Sequence, residues 1–220
     1  MLMKIKKYLL ILSLSLLFND SLIGQNFTIA RIHYSGGGDW YADPSSLPNL
    51  INFISENTTI KIEPNEFKIK LTDQELYNHT YLYLTGHGNI IFDQNEIENI
   101  RNYLLSGGFI HIDDNYGMDK YIRKEIDKIF PNNDLLELKN NHPIFNSKYK
   151  FNGLPKIHEH DGKDAQAFGI TVEGRLVLIY TYESDLGDGW EDQEVHNDSD
   201  EVRTKALKMG ANIIKYAFEN

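Results

Sequence analysis

The sequence predicts a single α/β domain whose mostly parallel, doubly wound sheet carries helices on both faces. Three observations carry that expectation. From Phe27 onward, short apolar runs alternate with stretches of helical period. The stretches between runs are long and amphipathic enough to be the crossovers that parallel strands require. No repeat, low-complexity tract or Pro/Gly-rich linker divides residues 25–220, and 41% hydrophobic with 25% charged residues is a globular balance.

The elements follow in order. Phe27–Tyr34 is a first strand, and Ser46–Ser55, striped by Leu47, Leu50, Ile51 and Ile54, is a helix. Thr58–Ile62 is expected as a second strand. Thr72-Asp73-Gln74-Glu75 has the form of a capping box that opens a short helix. Tyr81–Leu84 is a compact strand. Asp93-Gln94-Asn95-Glu96 starts another helix, with Ile97, Ile100 and Leu104 on one face and Gly107 placed to stop it. Phe109–Ile112 is the next strand, Ile122, Ile126 and Ile129 mark a helix ended by Pro131, and Leu176–Tyr180 is a late strand. Val202, Ala206, Met209, Ile213 and Tyr216 stripe a C-terminal helix. Leu135–Val172 reads as an antiparallel edge or an insertion.

Residues 1–24 read as an address. Lys4, Lys6 and Lys7 precede the apolar run Tyr8–Phe18, which is too short for the roughly 30 Å hydrocarbon layer and its about 20 helical residues. A signal peptide cut near Gly24 is therefore expected, giving a periplasmic or secreted bacterial domain with no stable membrane span. The 22 basic and 32 acidic side chains give a net charge of −10, which disfavours nucleic acid as a partner. The absence of Cys removes thiolate metal sites and cysteine nucleophiles.

In open α/β sheets, ligands bind beyond the carboxyl ends of the strands. Four strand ends deliver unusual residues there: Ser35-Gly36-Gly37-Gly38-Asp39-Trp40, Thr85-Gly86-His87-Gly88, Asp113-Asp114-Asn115-Tyr116-Gly117, and Asp185 to Glu191 with Trp190. Gly36, Gly37 and Gly38 suit either a tight turn or a backbone cradle for an anion or sugar. The missing third Gly of a dinucleotide fingerprint argues against nucleotide binding. His87, between two glycines, suits a proton shuttle, a metal ligand or simple loop bracing. Of Asp113 and Asp114, strand alternation turns one into the crevice, and the other braces the loop or caps the helix beginning near Tyr116. His111, within an apolar strand, reads as a core residue.

His158-Glu159-His160-Asp161 is the densest ligand-type cluster. In a strand its two imidazoles would share a face, as a metal site needs, but no third ligand stands at a diagnostic spacing, and a polar surface loop is the alternative. Asp185–Asp192 lacks the pattern of a calcium loop and reads as a solvated loop ordered by Trp190. No Gly-x-Ser-x-Gly elbow is present.

At these motifs the chain resembles a bacterial family known as a domain of unknown function, numbered forty-one fifty-nine. The matching stretches are Phe27–Trp40, Tyr83–Gly88, Gly107–Gly117, Asn141–Phe145, Gly174-Arg175, Asp185–Glu191 and Gly210–Ile213. That family is similar in fold to the class I glutamine amidotransferase-like group, which implies a flavodoxin-like three-layer arrangement. In true amidotransferases a nucleophilic Cys follows the strand corresponding to Phe109–Ile112. Asp113–Tyr116 occupy that place here, so the resemblance implies the scaffold and crevice without thioester chemistry.

The functional expectation is an exported ligand-binding or interaction domain, with a small molecule, a carbohydrate or an envelope protein as partner. Gly36, Gly37, Gly38, Asp39, Trp40, Gly86, Gly88, Tyr116, Gly117, Asp185, Trp190 and Glu191 are expected to form the ligand site. The alternative is a hydrolase in which Asp113 or Asp114 activates water and His87 serves as acid or metal ligand. No cofactor is expected, and any metal is left open.

Overall fold

A computed structural model describes residues 26–220, so the signal segment expected at residues 1–24 lies outside the described residues. Strands β1 (Ile29–Ile32), β2 (Phe67–Ile69), β3 (Tyr81–His87), β4 (Phe109–Tyr116), β5 (Leu136–Glu137), β6 (Gln166–Val172) and β7 (Arg175–Tyr182) form one sheet. Their spatial order is β2-β1-β3-β4-β7-β6-β5. The first five in that order run parallel, while β6 and β5 join antiparallel at one edge. The unassigned stretch from Leu135 thus supplies an antiparallel edge.

Helices α1 (Ser46–Asn57), α2 (Gln94–Leu105), α3 (Asp119–Ile129), α4 (Leu186–Trp190), α5 (Gln193–His196) and α6 (Asp200–Glu219) cover the sheet. Strand alternation divides the core. Leu82, Leu84, Ile110 and Ile112 pack with Ile100 and Ile126 of α2 and α3. Ile29, Tyr81, Tyr83 and Ile179 pack with Leu50 of α1 and Met209 and Ile213 of α6. The result is a three-layer α/β domain.

The Asp93 capping box forms as expected: its carboxylate accepts from Glu96 N at 2.9 Å, and Glu96 accepts from Asp93 N at 2.8 Å. The Thr72 box does not. Asp73 turns back to accept from Lys70 N at 2.7 Å, leaving only a short 3-10 turn over Gln74–Asn78. The second strand also moves: Ile62 makes one bridge to Phe27, and Phe67–Ile69 is the true neighbour of β1. Pro64 supplies no N–H to a ladder, so pairing resumes beyond it. β3 and β4 extend further than expected, keeping Thr85, Asp113 and Asp114 in the ladder, with Asn115 passed over where the register shifts between Gly86 and His87.

His111 is fully buried on β4, as its apolar surroundings suggest. Its Nε2 lies 2.9 Å from Thr181 Oγ1, and its Nδ1 has no partner among the described residues. Burial pushes its pKa down to about 3. The folded state therefore refuses a proton that the unfolded chain accepts below about pH 6.5, so this contribution to stability is intact above that pH and is lost as pH falls toward 3. The expected loss approaches about 1.4 kcal/mol per pH unit. Urea unfolding of His111→Gln and the parent between about pH 7 and pH 4.5 checks it: the variant should have the flatter profile.

Candidate functional site

The strand order reverses direction between β1 and β3, the kind of switch point at which open α/β sheets form a crevice. The loops leaving these strands lock together there. Gly38 N donates to Asn89 O at 2.9 Å, and Asn89 Nδ2 donates to Gly36 O at 3.0 Å. A Cβ on Gly38 would stand 2.7 Å from the His87 carbonyl oxygen, so close loop packing accounts for this glycine. The anion-cradle reading of the Gly run is thereby weakened, because the Gly38 N–H is already used. Gly86 takes φ +134, which lets the chain pass beneath Asp39. Asp39 accepts from His87 N, and its other oxygen is 3.1 Å from His87 Nδ1. The imidazole is half exposed and held in place. Trp40 stacks on His33 at 4.2 Å.

Asp113 and Asp114 lie under the surface. Asp113 is fully buried and accepts from Gly187 N at 2.6 Å, from Tyr83 Oη at 3.3 Å and from Thr181 Oγ1. Burial, then the charge of Asp185, raises its pKa to about 7. Asp114 accepts from Met118 N at 3.0 Å and from Tyr180 Oη at 3.1 Å, closing the turn before α3, which starts at Asp119 rather than near Tyr116. Both carboxylates are fasteners occupied by the chain's own donors, so neither opens on the crevice as a water-activating base would. Trp190 is likewise corrected: it is fully buried in α4, and its indole N–H donates to Ala206 O at 2.9 Å. The expected solvated loop around it is a short, largely buried helix.

Above this floor lies an open depression of about 550 Å³. His87, Asn115 and Tyr116 line it from the ends of β3 and β4, and His158, His160, Asp185 and Asp188 form its other wall. Of the expected site residues, His87, Tyr116 and Asp185 meet here. Gly36–Trp40, Gly86 and Gly88 shape the neighbouring rim, and Glu191 lies beneath it, 3% exposed.

His158 and His160 stand in irregular chain, not on a strand face. They converge through side-chain pairing: His160 Nε2 is 2.8 Å from Asp185 Oδ2, and His158 Nδ1 is 3.2 Å from Asp188 Oδ2. His158 Nε2 is 2.9 Å from Asp198, and His196 Nε2 is 3.1 Å from Glu191 Oε2. Hydrogen bonds to Asp185 and Asp188 outweigh burial and raise the His158 pKa to about 11. Burial works to raise Asp185, but the bonds from His158 and His160 prevail and lower it. Asp43 goes the other way, raised by burial and by the neighbouring Asp188 charge. One oxygen of Asp185, Oδ1, is buried without a partner among the described residues.

Asp43, Glu183 and Asp185 all hold left-handed backbone, with φ of 55, 56 and 63. Each costs about 1–2 kcal/mol for a side-chain-bearing residue, and strain of this kind collects at working sites. The segment carrying Asp43 is held from below by Arg31, which donates to Ala42 O at 2.6 Å and Asp43 O at 3.1 Å. Two sets of groups can hold a cation: His158, Asp188 and His196, or Asp43, Asp188 and Glu191, each with ligand atoms within 4.8 Å of one another. Asn115 stood within the expected Asp113–Gly117 strand end, whereas Asp43 and His196 were not legible as site residues, since no spacing links them to the His158 segment.

Among curated proteins none matches the chain. The model of the family described as "Domain of unknown function (DUF4159)" matches residues 28–218. That match covers nearly all of the described chain, and the protein belongs to this family.

Proposed function

We propose that the protein is an exported ligand-binding domain on an amidotransferase-like, flavodoxin-like scaffold that lacks the nucleophilic thiol, with its seat in the depression between His87 and His158. The observation that carries this reading is the composition of that depression: an exposed aromatic face, Tyr116, beside an amide, imidazoles and carboxylates. Aromatic rings cover the apolar face of a sugar, while the more accessible Asp188 and His87 offer an acceptor and a donor to its hydroxyls. A carbohydrate, including cell-wall fragments met outside the cytoplasm, fits that chemistry. The sequence reading of residues 1–24 supports export.

A thermal-shift survey of neutral sugars and peptidoglycan fragments tests it. A specific binder should raise the melting temperature of the parent, and Tyr116→Ala should reduce that shift at least several-fold while keeping the fold. No shift with any sugar, or equal shifts in Tyr116→Ala, would remove the reading.

The hydrolase alternative through Asp113 makes a different demand. With its pKa at about 7 against an ordinary 3.8, this carboxyl is neutral in the fold and ionised in the unfolded chain between those values. Its stabilising share is complete below about pH 4 and is lost as pH rises through 7. Asp113→Asn keeps the acceptor for Gly187 N and removes the charge, so it should stabilise the protein by up to about 4 kcal/mol at pH 8 and by little at pH 4. Chemical denaturation at the two pH values checks this. A hydrolase screen in which the parent turns over and Asp113→Asn does not would restore the catalytic role.

A further inference from the structure

We propose that His158, Asp188 and His196 form a site for one late first-row divalent cation, zinc by donor chemistry, set in the wall of the depression. The inference builds on the reading of this edge as a binding site and assigns it a resident ion.

The distances carry the argument. A tetrahedral ion with ligands at about 2.0–2.1 Å holds those ligand atoms about 3.3–3.5 Å from one another. His158 Nδ1 is 3.2 Å from Asp188 Oδ2, and His196 Nε2 is 3.5 Å from the same oxygen. Two imidazoles and one carboxylate are a zinc set, with the fourth position left for water or a ligand oxygen from the depression that His158 and Asp188 line.

The surroundings match a metal better than a proton. His158 Nε2 is 2.9 Å from Asp198 Oδ2, the outer carboxylate that commonly takes the second N–H of a metal-binding imidazole. With that N–H directed at Asp198, the Nδ1 lone pair of a neutral ring faces the oxygens of Asp188 at 3.2 Å and Asp185 at 3.5 Å. A positive charge must lie between them. A proton joins two atoms, whereas here a second imidazole nitrogen, from His196, stands between the same Asp188 oxygen at 3.5 Å and Glu191 Oε2 at 3.1 Å, with the ligand atoms of His158, Asp188 and His196 all within 4.8 Å of one another. Asp185 Oδ1, from a residue 98% buried, has no partner among the described residues. The neighbouring trio of Asp43, Asp188 and Glu191 suits calcium less well. Both Asp43 oxygens already accept from Asn115 Nδ2, at 2.8 and 2.7 Å, and Glu191 Oε1 accepts from Ser45 Oγ at 3.1 Å.

The test is calorimetric titration of Zn²⁺ into the chelator-stripped protein, with Co²⁺ as a spectroscopic probe. One equivalent of zinc should bind, and Co²⁺ should give the strong visible bands of a tetrahedral ion. His196→Ala should weaken zinc binding at least tenfold, Asp198→Asn, a positioning change, should weaken it about 10–100-fold, and the exposed Glu159→Gln should match the parent. Absence of stoichiometric zinc uptake by folded parent protein overturns the proposal, as does parental affinity in both His196→Ala and His158→Ala. The two readings separate in chelator: a sugar shift that persists there, still sensitive to Tyr116→Ala, leaves the binding seat standing if the metal fails. Stoichiometric zinc with no sugar shift supports the metal and removes the sugar seat.

Discussion

The fold depends on balancing an excess of negative charge at the carboxyl end of its sheet. Asp43, Asp113, Asp185 and Glu191 are buried at strand ends or in the segments that follow them, with Asp188 almost so. Isolated buried carboxylates are costly, and a protein relieves them by protonation, by donors or by cations. This chain uses all three means. Asp113 and Asp43 are pushed toward their neutral forms, Asp113 and Asp114 are tied down by backbone N–H and hydroxyl groups, and Asp185 is paired with two imidazoles.

This balance ties the edge together beneath a depression that stays open to solvent. The carboxylates that fasten β4 to α4 and to the turn before α3 are buried and held by the chain's own donors, whereas Asp188, paired with His158, borders the depression and is partly exposed. An Asp in a strand end is not automatically a base: Asp113 is held by Gly187, Thr181 and Tyr83, and a substrate would have to displace them. Left-handed backbone at Asp43, Glu183 and Asp185 shows that the chain accepts local strain to bring these groups together.

Much of the architecture was legible because period and capping act locally. Apolar runs marked β1, β3, β4 and β7, and Asp93 with Glu96 announced α2. What local pattern could not reveal depended on partners distant in sequence. The strand expected at Thr58–Ile62 lost to Phe67–Ile69 because pairing with β1 decides, and Trp190 looked like a loop residue because its burial comes from α6, outside its own segment. The same limit applied to the site. Tyr116, His87 and Asp185 stood at recognisable strand ends, while His158 and His196 meet Asp188 only after the chain folds, across separations that no spacing rule spans.

Side-chain nitrogen NMR of the three clustered histidines, in metal-free protein at about pH 8, tests this charge balance most directly. His158 should carry protons on both ring nitrogens there, with both signals in the imidazolium range and Nδ1 shifting when zinc is added. A neutral, singly protonated His158 in the folded, metal-free protein would contradict it, since the surrounding carboxylates would then be tolerated without any positive charge between them.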